Sequence, residues 1–86
     1  MANIKSQIKR NRQAAVRHER NKAVRSALKT RLKSFSRAVA EGDRAGAEAA
    51  YRVAAGALDR AASRHVVHRN YAANRKSTMA RRLLEL

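Results

Sequence analysis

Cysteine, proline and tryptophan are absent from this chain, and one Phe and two Tyr are its whole aromatic supply. Without cysteine there is no disulfide scaffold, no thiol nucleophile and no thiolate-held metal or cluster. Long apolar runs are missing too. The longest, Val53-Ala54-Ala55-Gly56-Ala57-Leu58, is far short of the ~20 residues that span a bilayer. Acid is scarce: 6 Asp+Glu stand against 21 Lys+Arg, a net charge of +15 on 86 residues. A balance of this kind points to a polyanionic partner.

What remains is one small domain's worth of chain. Its hydrophobic fraction of 44% is mostly alanine. The large apolar residues are Ile4, Ile8, Leu28, Leu32, Phe35, Leu58, Met79, Leu83, Leu84, Leu86 and a few valines. A core built from these is thin, and the uncompensated charges repel one another. The expectation is partial folding alone, completed by a polyanion, with folding and binding coupled in the N-terminal third.

Charge is distributed in blocks. Residues 1–37 carry a net +11, residues 38–63 a net −1, and residues 64–86 a net +5. The opening residues are basic and acid-poor, as in a transit peptide, but the same character runs on to Arg37. That continuity favours part of the domain over a removable leader.

No segment alternates like a strand, and the whole chain reads as helix. The pattern predicts an all-α, three-helix bundle with helices over about 5–40, 44–62 and 70–86. The basic first helix is overlong and extends beyond the bundle. Gly42 suits the stop of the first helix and Asp43 the N-cap of the second. Val24, Ala27, Leu28, Leu32, Phe35, Ala38 and Val39 fall within about 140° of the helical wheel. Lys22, Arg25, Lys29, Lys33 and Arg37 fill the adjacent arc of about 120°. Arg31 intrudes on the apolar side, where its stem can snorkel. Before Val24 the order fails. Arg17 and Arg20 occupy the side where apolar residues belong, and Ile4, Ile8 and Val16 do not continue the stripe. Residues 5–21 therefore have no face with which to pack. The second helix has an alanine-rich face from Ala47 to Ala61 that includes Tyr51. There Gly46 and Gly56 are expected to allow close approach of helix axes. The third carries Ala72, Met79, Leu83 and Leu86. Residues 63–70 read as a bend.

The chemistry in this pattern is electrostatic. Lys5, Lys9, Arg10, Arg12, Arg17, Arg20, Lys22 and Arg25 decorate a helix on all sides. A folded RNA can place phosphates on all sides of such a rod, whereas a single DNA groove cannot. Asn3, Ser6, Asn21, Ser26, Asn70 and Ser77 are short polar groups suited to phosphate or 2′-OH. With so few aromatics, shape and backbone recognition is expected over single-strand readout. For Tyr71, stacking on a base and partial packing are both open. His65 and His68 offer two metal nitrogens but no third ligand nearby, so no metal or other cofactor is expected. Ser63 has no orienting acid close in sequence, and no glycine loop cradles phosphate. No enzyme activity is expected. Two other readings share the composition: a protein coating DNA, and a membrane-surface amphipathic helix. The alanine-dominated apolar face argues against the latter.

Three ordered blocks carry a resemblance. They are Ala2-Asn3-Ile4-Lys5-Ser6 with Ile8-Lys9-Arg10; Arg20 through Thr30; and Val66-Val67-His68-Arg69-Asn70 with Ala72-Ala73 and Lys76-Ser77. With Gly42-Asp43 between them, the whole chain closely resembles the family of bacterial small-subunit ribosomal proteins numbered twenty. The resemblance implies a three-helix protein of the bacterial ribosome, cytoplasmic, that binds 16S ribosomal RNA early in assembly. It also implies the contacted regions: the 5′ domain and the long penultimate helix of that RNA. Carried onto this chain, the candidate contacts are Asn3, Lys5, Ser6, Lys9, Arg10, Arg12, Arg17, Arg20, Asn21, Lys22, Arg25, Ser26, Lys29, His68, Arg69, Asn70, Arg75 and Lys76. At four positions the chain departs from the pattern: His65 replaces a usual Gly, Tyr71 a usual Lys, and Asn74 and Thr78 usual Arg. The Gly position implies backbone with φ > 0, which His tolerates less well.

Overall fold

The computed structural model describes residues 2–86, with side chains described from Ile4 onward. Asn3 therefore lies outside the described side chains. Three helices follow one another: α1 (Ala2–Ala40), α2 (Arg44–Ser63) and α3 (Arg69–Glu85). Among the described residues there is no strand. Helix α1 begins three residues before the predicted start, and α3 stops one residue before the predicted end.

Two turns of the same chemistry set the topology. At the end of α1 the Gly42 N–H donates to the Val39 carbonyl and the Asp43 N–H to the Ala38 carbonyl, each at 3.0 Å. This paired closure needs one left-handed residue, and Gly42 supplies it with φ 69°. Asp43 then caps α2: its Oδ1 accepts from the Gly46 N–H at 2.9 Å. A Cβ at position 46 would collide with the Asp43 carboxylate. Gly46 thus makes room for the cap and not for a neighbouring helix. At Gly56 an added Cβ would meet only the guanidinium of Arg60, at the far end of a long side chain, so the expected close helix approach is absent at both glycines.

The end of α2 repeats the closure without glycine. The His65 N–H donates to the Ala62 carbonyl at 3.0 Å and the Val66 N–H to the Ala61 carbonyl at 2.9 Å. The left-handed residue is His65, with φ 60°. The bend is more than a connector. The closure turns Val66 inward over Ala61, and both are buried.

The core is small. It comprises Leu28, Phe35, Ala47, Ala54, Leu58, Ala61, Val66, Ala72 and Met79. Helix α2 is the central member, packed against both α1 and α3, which hardly meet each other. Its buried alanines let the flanking helices lie close. Phe35 and Leu58 are the largest fully buried side chains. Each stabilises the fold by roughly 1.5–3 kcal/mol through burial. Phe35 and the half-buried Tyr51 pack with ring centroids 6.4 Å apart. Arg82 reaches back from α3, its guanidinium carbon 5.7 Å from the Phe35 ring centroid. It also donates to Ser36 Oγ at 3.2 Å. Leu86, placed on the apolar stripe by the sequence, is partly exposed beyond the end of α3.

The molecule is long and thin, 63 × 20 × 13 Å, with a radius of gyration of 17.5 Å. A compact chain of this length would have a radius near 12 Å. Helix α1 accounts for the difference: 39 residues make a rod of about 58 Å.

Candidate nucleic-acid interface

From residue 4 to residue 20 every described side chain is exposed. The reason is the pattern along α1: the cations Lys5, Lys9, Arg10, Arg12, Arg17 and Arg20 cover about 160° of the wheel, and Lys9, Arg10, Arg17 and Arg20 stand on the side that the apolar stripe takes from Val24 onward. The stripe therefore has no continuation to bury, and this half leaves the bundle as a bare rod. Ile4, Ile8 and Val16 stand on it half-exposed. Only at Asn21 and Val24 does partial burial begin, where the rod meets the bundle. From there on the apolar stripe faces α2, and Lys22, Arg25, Ser26 and Lys29 face solvent.

Charge on this surface is almost wholly unneutralised by the protein. Among the described residues, ion pairs engage only two cations, Arg44 with Glu48 and Lys76 with Asp59. The rod's amines and guanidiniums have no carboxylate partner there. Thr30 Oγ1 donates to the Ser26 carbonyl and Ser34 Oγ to the Thr30 carbonyl, both at 3.1 Å. Those hydroxyls are engaged along their own helix, while the lysines and arginines beside them are not.

The bend brings a second cluster up to α1. His68 is the N-cap of α3, its Nδ1 accepting from the Asn70 N–H at 3.0 Å. That bond needs a lone pair on Nδ1 and leaves the proton on Nε2, so this imidazole presents a donor to the outside. Arg69, Asn70 and Arg75 are exposed on the first turns of α3. The guanidinium carbon of Arg75 stands 5.4 Å from the Tyr71 ring centroid.

The candidate residues therefore fall into two groups and one exception. Lys5, Ser6, Lys9, Arg10, Arg12, Arg17 and Arg20 lie along the rod. Arg25 and Lys29 meet His68 around a shared open recess, which Leu28, Val67 and Tyr71 complete. Lys5 and Lys29 are about 36 Å apart along α1, so the rod's tip and the recess are separate ends of one face system. Lys76 is the exception. Its Nζ is 2.7 Å from Asp59 Oδ1, so it joins α3 to α2. Hydrogen bonding to Asp59 raises the Lys76 pKa above its ordinary value. Of the departures, Asn74 and Thr78 pair with each other, Thr78 Oγ1 donating to the Asn74 carbonyl at 2.9 Å. Tyr71, for which the sequence leaves stacking and packing both open, lines this recess three residues after His68.

No group of three metal-ligating side chains comes together among the described residues. None of their helices is long and apolar enough to cross a membrane.

Fold and charge together define a class: a small all-helical protein whose bundle anchors a free-standing cationic rod. The chain belongs to the ribosomal protein S20 family, whose model matches residues 2–84. It is 55% identical to the small ribosomal subunit protein bS20 of a Nocardioides species, over the full length of both chains. It is 58% identical to bS20 of Bifidobacterium longum subsp. infantis over 93% of each chain. Against bS20 of Corynebacterium efficiens the identity is 53%, covering 94% of this chain and 93% of the relative. The family is ribosomal and not enzymatic.

Proposed function

We propose that this protein is a structural constituent of the small ribosomal subunit that binds 16S ribosomal RNA directly and supports subunit assembly in the bacterial cytoplasm. The observation that carries the reading is the rod. Along residues 5–25 the exposed cations Lys5, Lys9, Arg10, Arg12, Arg17, Arg20, Lys22 and Arg25 together point to all sides of the helix, and among the described residues none of them pairs with a carboxylate. A groove of duplex DNA neutralises one face of such a helix. A folded RNA with several helices around it neutralises all of them. Membership of a ribosomal family supports the same choice.

Lys5, Lys9, Arg10, Arg12, Arg17 and Arg20 hold phosphates along the rod, with Asn3 and Ser6 at its tip. Asn21, Lys22, Arg25, Ser26 and Lys29 continue the contact beside the bundle. His68, Arg69, Asn70 and Arg75 form its second end. Lys76 is engaged by Asp59 and stays with the fold. Two separated contact regions suit an RNA-bridging protein. The resemblance assigns them to the 5′ domain and the long penultimate helix. Arginine's planar fork bridges phosphate oxygens bidentately, and each neutralised phosphate releases counterions.

The test is a binding titration against 16S ribosomal RNA over a salt series, with duplex DNA of equal charge as competitor. Preference for the RNA that survives added salt is the expected result. Equal affinities that collapse together would leave only counterion release and overturn the reading.

A further inference from the structure

The recess between α1 and the start of α3 has a composition unlike the rest of the basic surface. It is open, encloses about 350 Å³, and is lined by Arg25, Leu28, Lys29, Val67, His68 and Tyr71. That volume lies at the low end of the range for small-ligand sites. Its walls are chiefly apolar, although four of its six residues carry polar tips. Leu28 is buried and Val67 half-buried, so they form a fixed floor. Tyr71 is 38% exposed, an aromatic ring that the core does not claim. The guanidinium carbon of Arg75 lies 5.4 Å from the centroid of that ring. A surface that took only phosphates would need cations and no apolar floor.

We propose that this recess is a nucleobase site: an unpaired base of the bound RNA stacks against Tyr71 over the Leu28–Val67 floor, while Arg25 and Lys29 hold its flanking phosphates. The Nε2 proton of His68, freed for this by the cap at Nδ1, donates to the same nucleotide. The proposal rests on the RNA-binding reading above and adds to it a contact that is not electrostatic. Base–aromatic stacking is sequence-tolerant and insensitive to counterion release, so it adds affinity without adding salt dependence.

The experiment measures affinity for 16S ribosomal RNA over a salt series for the wild type, Tyr71→Ala and Tyr71→Phe, with a thermal melt of each free protein. Tyr71→Ala is expected to weaken binding about tenfold at every salt concentration, with the salt slope unchanged. Tyr71→Phe is expected to retain wild-type binding, since the ring and not the hydroxyl makes the stack. Unchanged melts would place the loss in the complex. An alanine variant that binds like wild type overturns the base site while leaving RNA binding intact. A phenylalanine variant as weak as alanine overturns stacking. Failure of the wild type to prefer 16S RNA over duplex DNA overturns the RNA reading, and the base site with it.

Discussion

Lys76 Nζ stands 2.7 Å from Asp59 Oδ1, an ion pair that ties the middle of α3 to the last third of α2. The lysine is one of the candidate RNA contacts named from the resemblance, yet its charge is used inside the protein. Replacing it with methionine is expected to lower thermal stability and to leave the salt slope of RNA binding unchanged. Its pH dependence has a definite sign. Hydrogen bonding to Asp59 raises the folded-state pKa above the ordinary 10.5. The pair's contribution is therefore whole below that pH and fades as pH rises through the raised value. Melts of wild type and Lys76→Met should converge there. A constant gap across that range would contradict the pairing.

His65 holds a left-handed conformation that glycine adopts without steric penalty. Exchanging His65 for Gly is expected to stabilise the fold by about 1 kcal/mol, which for a domain of this size is a rise of roughly 4–8 °C in Tm. Valine at the same position, branched at Cβ, should lower Tm instead. Circular-dichroism melts of the two variants check both signs. A lower Tm for glycine would mean that His65 makes a contact worth more than the strain it carries.

Asp43 and Gly46 act as one unit, because the carboxylate lies where a Cβ at 46 would be. Loss of the cap in Asp43→Ala should cost about 1 kcal/mol. Gly46→Ala should displace the same carboxylate. The two losses should not add in the double variant, since the second substitution removes a cap already gone. Strict additivity of the Tm shifts would show that the two residues act separately.

Leu58 lies at the centre of the core, wholly buried on the helix that touches both others. Leu58→Ala should destabilise by about 2–5 kcal/mol, enough to unfold much of a domain with so thin a core. Ile8→Ala, on the exposed rod, should leave the melt of the free protein unchanged. A large effect of Ile8→Ala on that melt would mean the rod packs on something in the free protein.

The features legible in the sequence were those that depend on neighbours along the chain. Charge blocks, the apolar arc from Val24 to Val39, and the turn at Gly42-Asp43 all follow from spacing alone. The left-handed backbone at His65 was legible because the family pattern places glycine there. The unreadable features depend on register between helices. Val66 enters the core only because the closure at the end of α2 rotates it over Ala61. Lys76 meets Asp59, and Arg82 meets Phe35 and Ser36, across helix pairs whose relative rotation no single-helix wheel reports. His68 showed as a basic contact residue, and its capping of α3 needs the extended backbone of the bend. Gly46 is a local exception: its space is filled by the side chain of Asp43, three residues earlier, and not by another helix, so the glycine serves the cap already read at Asp43.

The rod's role can be isolated from the fold, because residues 4–20 are exposed throughout. The decisive measurement is the salt dependence of 16S ribosomal RNA binding for a variant carrying Lys5→Gln, Lys9→Gln, Arg12→Gln and Arg17→Gln. If these four cations hold phosphates along the rod, the slope of log K against log salt should fall by about 3 units. The melt of the free protein should stay at the wild-type value. An unchanged slope with an intact fold would mean that the rod does not carry the RNA contact.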